Sequence, residues 1–279
     1  MENMSEWIFD AQFPNSKMGY KIKQELVKRT TPHQELAIYD TYDFGKMLVL
    51  DGIVQTTEKD EFIYHEMMAH VAAFCHPHPK QVLVIGGGNG GVVREFLKHK
   101  EIDRVVLCEV DAILIQECKT HLPEIAGALG DKRCEVFIGD GIQYVLQHKN
   151  EFDIILVDTT DPFASAEGLF GGSFYENLRD CLTHDGIFVA QSETPFLLPE
   201  IVNRVFKDCK NFFPIAKLYT MTVPTYPGGI CTVTIASKRY DPARPYNSDR
   251  PAFPLRYYSK DHHRAAFVHP QYVEDILAK

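Results

Sequence analysis

The rhythm of apolar and polar positions changes along the chain. Over the first 60 residues, short alternating stretches such as Gln34–Tyr39 and Lys46–Leu50 are separated by turn signals at Thr31-Pro32, Phe44-Gly45 and Asp51-Gly52. That pattern predicts hairpins and a small antiparallel sheet. From Glu61 to Cys75, residues Phe62, His65, Glu66, Met68, Ala69 and Ala72 fall at helical spacing, and Pro77 and Pro79 stop the helix. Beyond it the segments alternate. Val82–Ile85 predicts a buried strand, Gly90–Lys98 the start of a helix, Val105–Glu109 a strand, Asp111–Thr120 a helix, and Val136–Ile138 and Ile154–Val157 two further strands. Ile187–Ala190 and Cys231–Ala236 add strands around a helix near Pro199–Phe212. Strands alternating with helices predict an α/β fold with a parallel, doubly wound sheet that takes its ligand at the carboxyl ends of the strands. The division expected is a β-hairpin domain over 1–60 and a Rossmann-like α/β domain over 61–279.

Composition narrows the class. A 279-residue chain that is 45% hydrophobic can bury a large core. No stretch approaches the roughly 18 apolar residues of a membrane span, and Met1–Phe9 is too polar for a secretory signal, so a cytoplasmic location is expected. Seven scattered cysteines without a C-x-x-C pair read as core thiols rather than disulfides or a zinc site. The net charge of −9 disfavours nucleic acid and anionic membranes as partners and suits a small cation.

Strand Val82–Ile85 runs into Gly86-Gly87-Gly88-Asn89-Gly90-Gly91 just before a helix. Glycines there allow a tight turn and a close approach of backbone amides to a ligand at a helix N-terminus. The next strand ends in Glu109, placed to hydrogen-bond ribose hydroxyls; a structural turn beside a solvated Glu is the alternative. Gly139-Asp140-Gly141 follows a third strand, where the Asp either meets the exocyclic amine of adenine or only makes a turn. Asp158-Thr159-Thr160-Asp161-Pro162 follows a fourth, so two carboxylates leave it at the ligand edge, and one of them can take a proton from an attacking amine. A zinc helix of the H-E-x-x-H type beginning at His65-Glu66 needs histidine at position 69, where Ala69 stands, and no metal is expected.

These residues resemble the polyamine aminopropyltransferase (spermidine synthase) family over nearly the whole chain. The likeness rests on the stretch from Leu50 to Met68, the glycine loop, Asp158 to Pro162, Pro224-Thr225-Tyr226-Pro227-Gly228-Gly229 and Ala265-Ala266-Phe267. It implies a Rossmann-like methyltransferase-type domain behind the small β-domain, in a homodimer or homotetramer. It implies decarboxylated S-adenosylmethionine as co-substrate and putrescine as acceptor. Gln34, Gln55, Gly86, Gly88, Asn89, Glu109, Asp140, Gly141 and Ser165 would then bind the donor. His65, Asn89, Asp158, Asp161, Gln191 and Tyr226 would line the polyamine site. Asp158 would accept the proton, and Tyr64 would help to position the amine.

Two departures stand out. The family has Asp where this chain has Asn89, which keeps the shape but removes a charge that favours an ammonium. After Pro162 the family has Gly-Pro where this chain has Ala164-Ser165. N-methyl or other alkyl transfer from intact S-adenosylmethionine, and polyamine binding without catalysis, remain the alternatives.

Overall fold

The computed structural model describes residues 6–159, 172–246 and 253–279. The first part is a five-stranded antiparallel sheet of β1 (Trp7–Phe9), β2 (Gly19–Thr30), β3 (Glu35–Thr41), β4 (Gly45–Leu50) and β5 (Ile53–Thr57), in that spatial order. Its turns fall on the expected signals, with Gly45, Asp51 and Gly52 all at positive φ. Strands β1 and β2 were not predicted. The pairing of β2 with β3 shifts register between Ile22 and Gln24 and again between Glu25 and Val27, and each bulge resets the period of two that makes a strand readable.

Helix α1 keeps its predicted bounds, Glu61–Cys75, but its burial differs from the single apolar face that the spacing suggested. Every residue except Phe62 is buried. The helix is covered on all sides: Glu66 accepts the backbone N–H groups of Arg256, Tyr257 and Tyr258 at 2.9, 2.8 and 2.8 Å, and Tyr219 donates to the Met67 carbonyl at 3.0 Å. Phe62 lies at the rim, with the Arg256 guanidinium 3.6 Å from its ring centroid.

The remaining elements run β6 (Gln81–Gly86), α2 (Gly91–Leu97), β7 (Arg104–Glu109), α3 (Ala112–His121), α4 (Pro123–Ala126), β8 (Cys134–Ile138), α5 (Gly141–Gln147) and β9 (Phe152–Asp158). Then come α6 (Gly172–Cys181), β10 (Leu182–Gln191), α7 (Pro199–Phe212), β11 (Ile215–Thr222), β12 (Ile230–Ser237), α8 (Lys260–Ala265) and α9 (Gln271–Leu277). The strands form one seven-stranded sheet in the order β11-β12-β10-β9-β6-β7-β8. The five strands from β10 to β8 are parallel, as predicted. Strand β12 runs antiparallel to both neighbours; the short loop after β11 permits only a hairpin return onto that strand.

Both faces of this sheet are covered. Val82 and Val84 of β6 join the core beneath α1 and α2, while Leu83 and Ile85 join the core beneath α5, α6 and α7. Burial on both sides is why the strand reads as an unbroken apolar run. From β6 the chain moves outward through β7 and β8, then returns to lay β9 on the other side. The strand order therefore reverses between β6 and β9, where Gly86 and Asp158 are register partners. A crevice at the carboxyl ends is the result. Among the described residues no helix is long and apolar enough to cross a membrane.

Candidate active site

The glycine loop leaves β6 at this reversal. Gly86 has a φ of +77°, and a Cβ on it would strike the Asp158 carbonyl. Gly91 opens α2 directly against the His65 ring, which a Cβ would overlap. Conformation requires glycine at the first position and close approach requires it at the second. Asn89 turns its side-chain oxygen onto the Gly91 N–H at 2.8 Å, so the loop presents an amide to the crevice at this position.

Three strand ends supply carboxylates. Glu109 closes β7, accepts the N–H groups of Gly88 at 3.2 Å and Asp111 at 3.0 Å, and is pushed above the ordinary carboxylate value by burial. Asp140 follows β8 and caps α5, its Oδ1 accepting the Ile142 N–H at 2.7 Å, and the residue also lines the crevice. Asp158 closes β9, and Tyr64 of α1 donates to its Oδ1 at 2.6 Å. Burial raises the Asp158 carboxyl while the Tyr64 hydroxyl opposes the rise. Burial, reinforced by the Asp158 charge, holds the Tyr64 phenol well above its usual value, so it stays a neutral donor.

One cavity of about 540 Å³ gathers these groups. Gln34, Gln55, Tyr64, His65, Gly86, Gly88, Asn89, Glu109, Asp140, Gly141, Asp158, Gln191 and Tyr226 all line it. Gln34 is steadied by donating to Asp111 at 3.0 Å, and Tyr226 by donating to the Gln55 carbonyl at 3.0 Å. The Tyr226 and Tyr64 rings lie 5.7 Å apart, forming an aromatic wall beside Asp158. Asp161 and Ser165, with Ala164, lie outside the described residues. Among the described residues no group of three or more His, Cys, Asp or Glu side chains is arranged to hold a metal ion.

The structure adds residues that sequence reasoning missed. Glu193 follows β10, lines the cavity at 5% exposure with a φ of +68°, and accepts a 3.2 Å hydrogen bond from Gln12. A carboxylate just past a strand end is the signal that marked Asp158, and it would have found Glu193. Gln12 lies in irregular backbone and carries no such signal. Asp60 makes no side-chain cap on α1. Its carboxylate instead accepts Thr57 Oγ1 at 2.6 Å and, through Oδ2, the N–H and hydroxyl of Thr225 at 3.1 and 2.7 Å, fastening the loop that carries Tyr226.

A doubly wound sheet with a glycine loop and strand-end carboxylates around one crevice defines an α/β enzyme that works at its topological switch point. Comparison with known proteins gives the family. Residues 61–245 match the spermine/spermidine synthase domain, and residues 6–58 match the spermidine synthase tetramerisation domain. The polyamine aminopropyltransferase of Clostridium kluyveri is 56% identical over 98% of this chain and 99% of its own, and that of Clostridium tetani is 55% identical over 98% of each. A spermidine synthase solved in complex with the transition state analogue AdoDATO superposes with a TM-score of 0.95 at 38% identity, covering 98% of this chain and 94% of that one. The spermidine synthase of Thermotoga maritima gives a TM-score of 0.93 over the same shares, also at 38% identity. The chain belongs to the spermine/spermidine synthase family and is a transferase of the polyamine aminopropyltransferase kind.

Proposed function

We propose that this enzyme transfers the aminopropyl group of decarboxylated S-adenosylmethionine to putrescine, giving spermidine and methylthioadenosine. The observation that carries the reading is the Tyr64–Asp158 hydrogen bond inside a cavity that also holds Glu109 and Asp140. The reaction needs that pairing. The leaving group is a neutral thioether and requires no acid, whereas an alkylamine with a pKa of about 10.4 arrives protonated and cannot attack until it loses a proton.

In this reading Glu109 takes the ribose hydroxyls, Asp140 and Gly141 the adenine, and Gln34, Gln55, Gly86, Gly88 and Asn89 the rest of the donor. The amine lies against Tyr226, Gln191, His65 and Asp158, with Asn89 at the boundary between the two substrates. Asp158 receives the amine proton, and the freed lone pair attacks the carbon bonded to sulfur as the carbon–sulfur bond breaks. Burial raises the proton affinity of Asp158, which suits a base, and Tyr64 fixes the direction of its carboxylate. The same reading takes residues 1–60 and 61–279 as two domains, assembled as a homodimer or homotetramer in the cytoplasm. The tetramerisation-domain match over 6–58 supports assembly.

The test is product identity by mass after incubation with putrescine and either donor. Spermidine with methylthioadenosine, formed from decarboxylated donor only, is expected. N-methylputrescine with S-adenosylhomocysteine would refute the reading, as would binding of both substrates without turnover.

A further inference from the structure

His65 enters the cavity with one ring nitrogen already committed. Its Nδ1 lies 2.5 Å from Oε2 of Glu61, one turn earlier on α1, and the two side chains are 1% and 8% exposed. Glu61 is held in turn by Arg94 of α2, whose guanidinium donates to the same oxygen at 2.7 Å and to Glu95 at 2.9 Å. Burial pushes the Glu61 carboxyl up, but the hydrogen bonds from His65 and Arg94, together with the Arg94 charge, oppose it, and the group lies below the ordinary carboxylate value. An ionised carboxylate only accepts hydrogen bonds. The contact therefore places the proton of a neutral imidazole on Nδ1 and the lone pair on Nε2, which no hydrogen bond engages among the described residues.

We propose that Glu61, held by Arg94, is a positioning residue that fixes this tautomer of His65, so that Nε2 accepts an N–H of the bound amine. The proposal rests on the reading of the cavity as a polyamine site. A carboxylate behind an imidazole sets which nitrogen is bare in metal sites and hydrolases by the same logic. In the opposite tautomer His65 would aim an N–H at a cation already bearing N–H donors, and the site would work against its substrate. Gly91 completes the arrangement, since only a missing side chain lets α2 press on the ring and bring Arg94 behind it. The array fixes charge and does not conduct protons outward: an arginine does not give up its proton, so the series His65, Glu61, Arg94, Glu95 is interrupted at its third member.

The direct test is nitrogen NMR of the full-length protein with 15N-labelled histidine, without substrate, about two pH units above the ordinary histidine value. The His65→Gln variant assigns the resonance. Wild-type His65 should show a protonated Nδ1 and a bare Nε2, and the opposite tautomer overturns the proposal even if Glu61→Gln does not fold. In Glu61→Gln, whose carboxamide can accept from or donate to Nδ1, the two tautomers should become comparably populated. An unchanged signature overturns the proposal. The same variant should raise the KM for putrescine by about tenfold or more, the loss expected for one hydrogen bond to a charged group, with kcat and the donor KM held. An unchanged putrescine KM, or an equal rise in both KM values, also overturns it. The tautomer readout needs no turnover, so a protein with the expected tautomers that makes no spermidine refutes the aminopropyl reading and leaves this one standing.

Discussion

Tyr64 and Asp158 are 94 positions apart in the chain, yet the tyrosine hydroxyl lies 2.6 Å from the aspartate Oδ1. The first turn of a helix buried at every position but Phe62 meets the end of the strand beside the glycine loop. Among the described residues the Asp158 carboxylate is held by Tyr64 through Oδ1.

This geometry sets a pH dependence. In the proposed reaction Asp158 works as the ionised base, and burial raises its pKa above the ordinary value of 3.8. Activity should be present above that raised pKa and be lost as the pH falls through it. Tyr64 opposes the rise, so Tyr64→Phe should move the acid limb of kcat/KM to higher pH and lower kcat by about tenfold. Initial rates across pH check both effects. A limb that moves toward lower pH contradicts the arrangement.

Replacing Gly91 by Ala should damage the site through packing. The added methyl overlaps the His65 ring, which is buried and held by Glu61, so the ring or α2 must shift. A loss of about 1–3 kcal/mol in stability is expected for such overpacking, together with weaker putrescine binding. Thermal unfolding and calorimetry measure the two effects, and a variant that keeps both wild-type values argues against the packing described.

Asp60 should act on the amine site without touching it. Both of its oxygens are engaged by Thr57 and Thr225 donors, and Thr225 precedes the Tyr226 wall. Asp60→Asn turns one acceptor into a donor facing a donor, at a cost of about 1–3 kcal/mol. The KM for putrescine should rise while the dissociation constant of methylthioadenosine stays within about twofold. Equal losses at both sites would show that the carboxylate is a general support only.

Much of this architecture is legible from residues alone, for identifiable reasons. The strand Val82–Ile85 is apolar on both faces because each face meets a core, and Pro77 and Pro79 follow the helix that Cys75 ends. Glu109 and Asp158 could be placed because a doubly wound sheet delivers its strand ends to one edge. Legibility fails where the cause is not local. Bulges hide β2, and α9 is too short for a period, burying only Val273 and Ile276. The Glu61–His65 pair sits at i, i+4 in plain sight, but its meaning depends on Arg94, which arrives from another helix.

The central claim is that Asp158 takes the proton of the attacking amine. Its most direct test is the rate of methylthioadenosine formation by Asp158→Asn at saturating putrescine and decarboxylated S-adenosylmethionine, with donor affinity measured alongside. The prediction is a fall in rate of about 10² to 10⁴ fold, the usual worth of a positioned base, with donor affinity within about twofold of wild type. A rate that matches wild type at the same donor affinity would contradict the account.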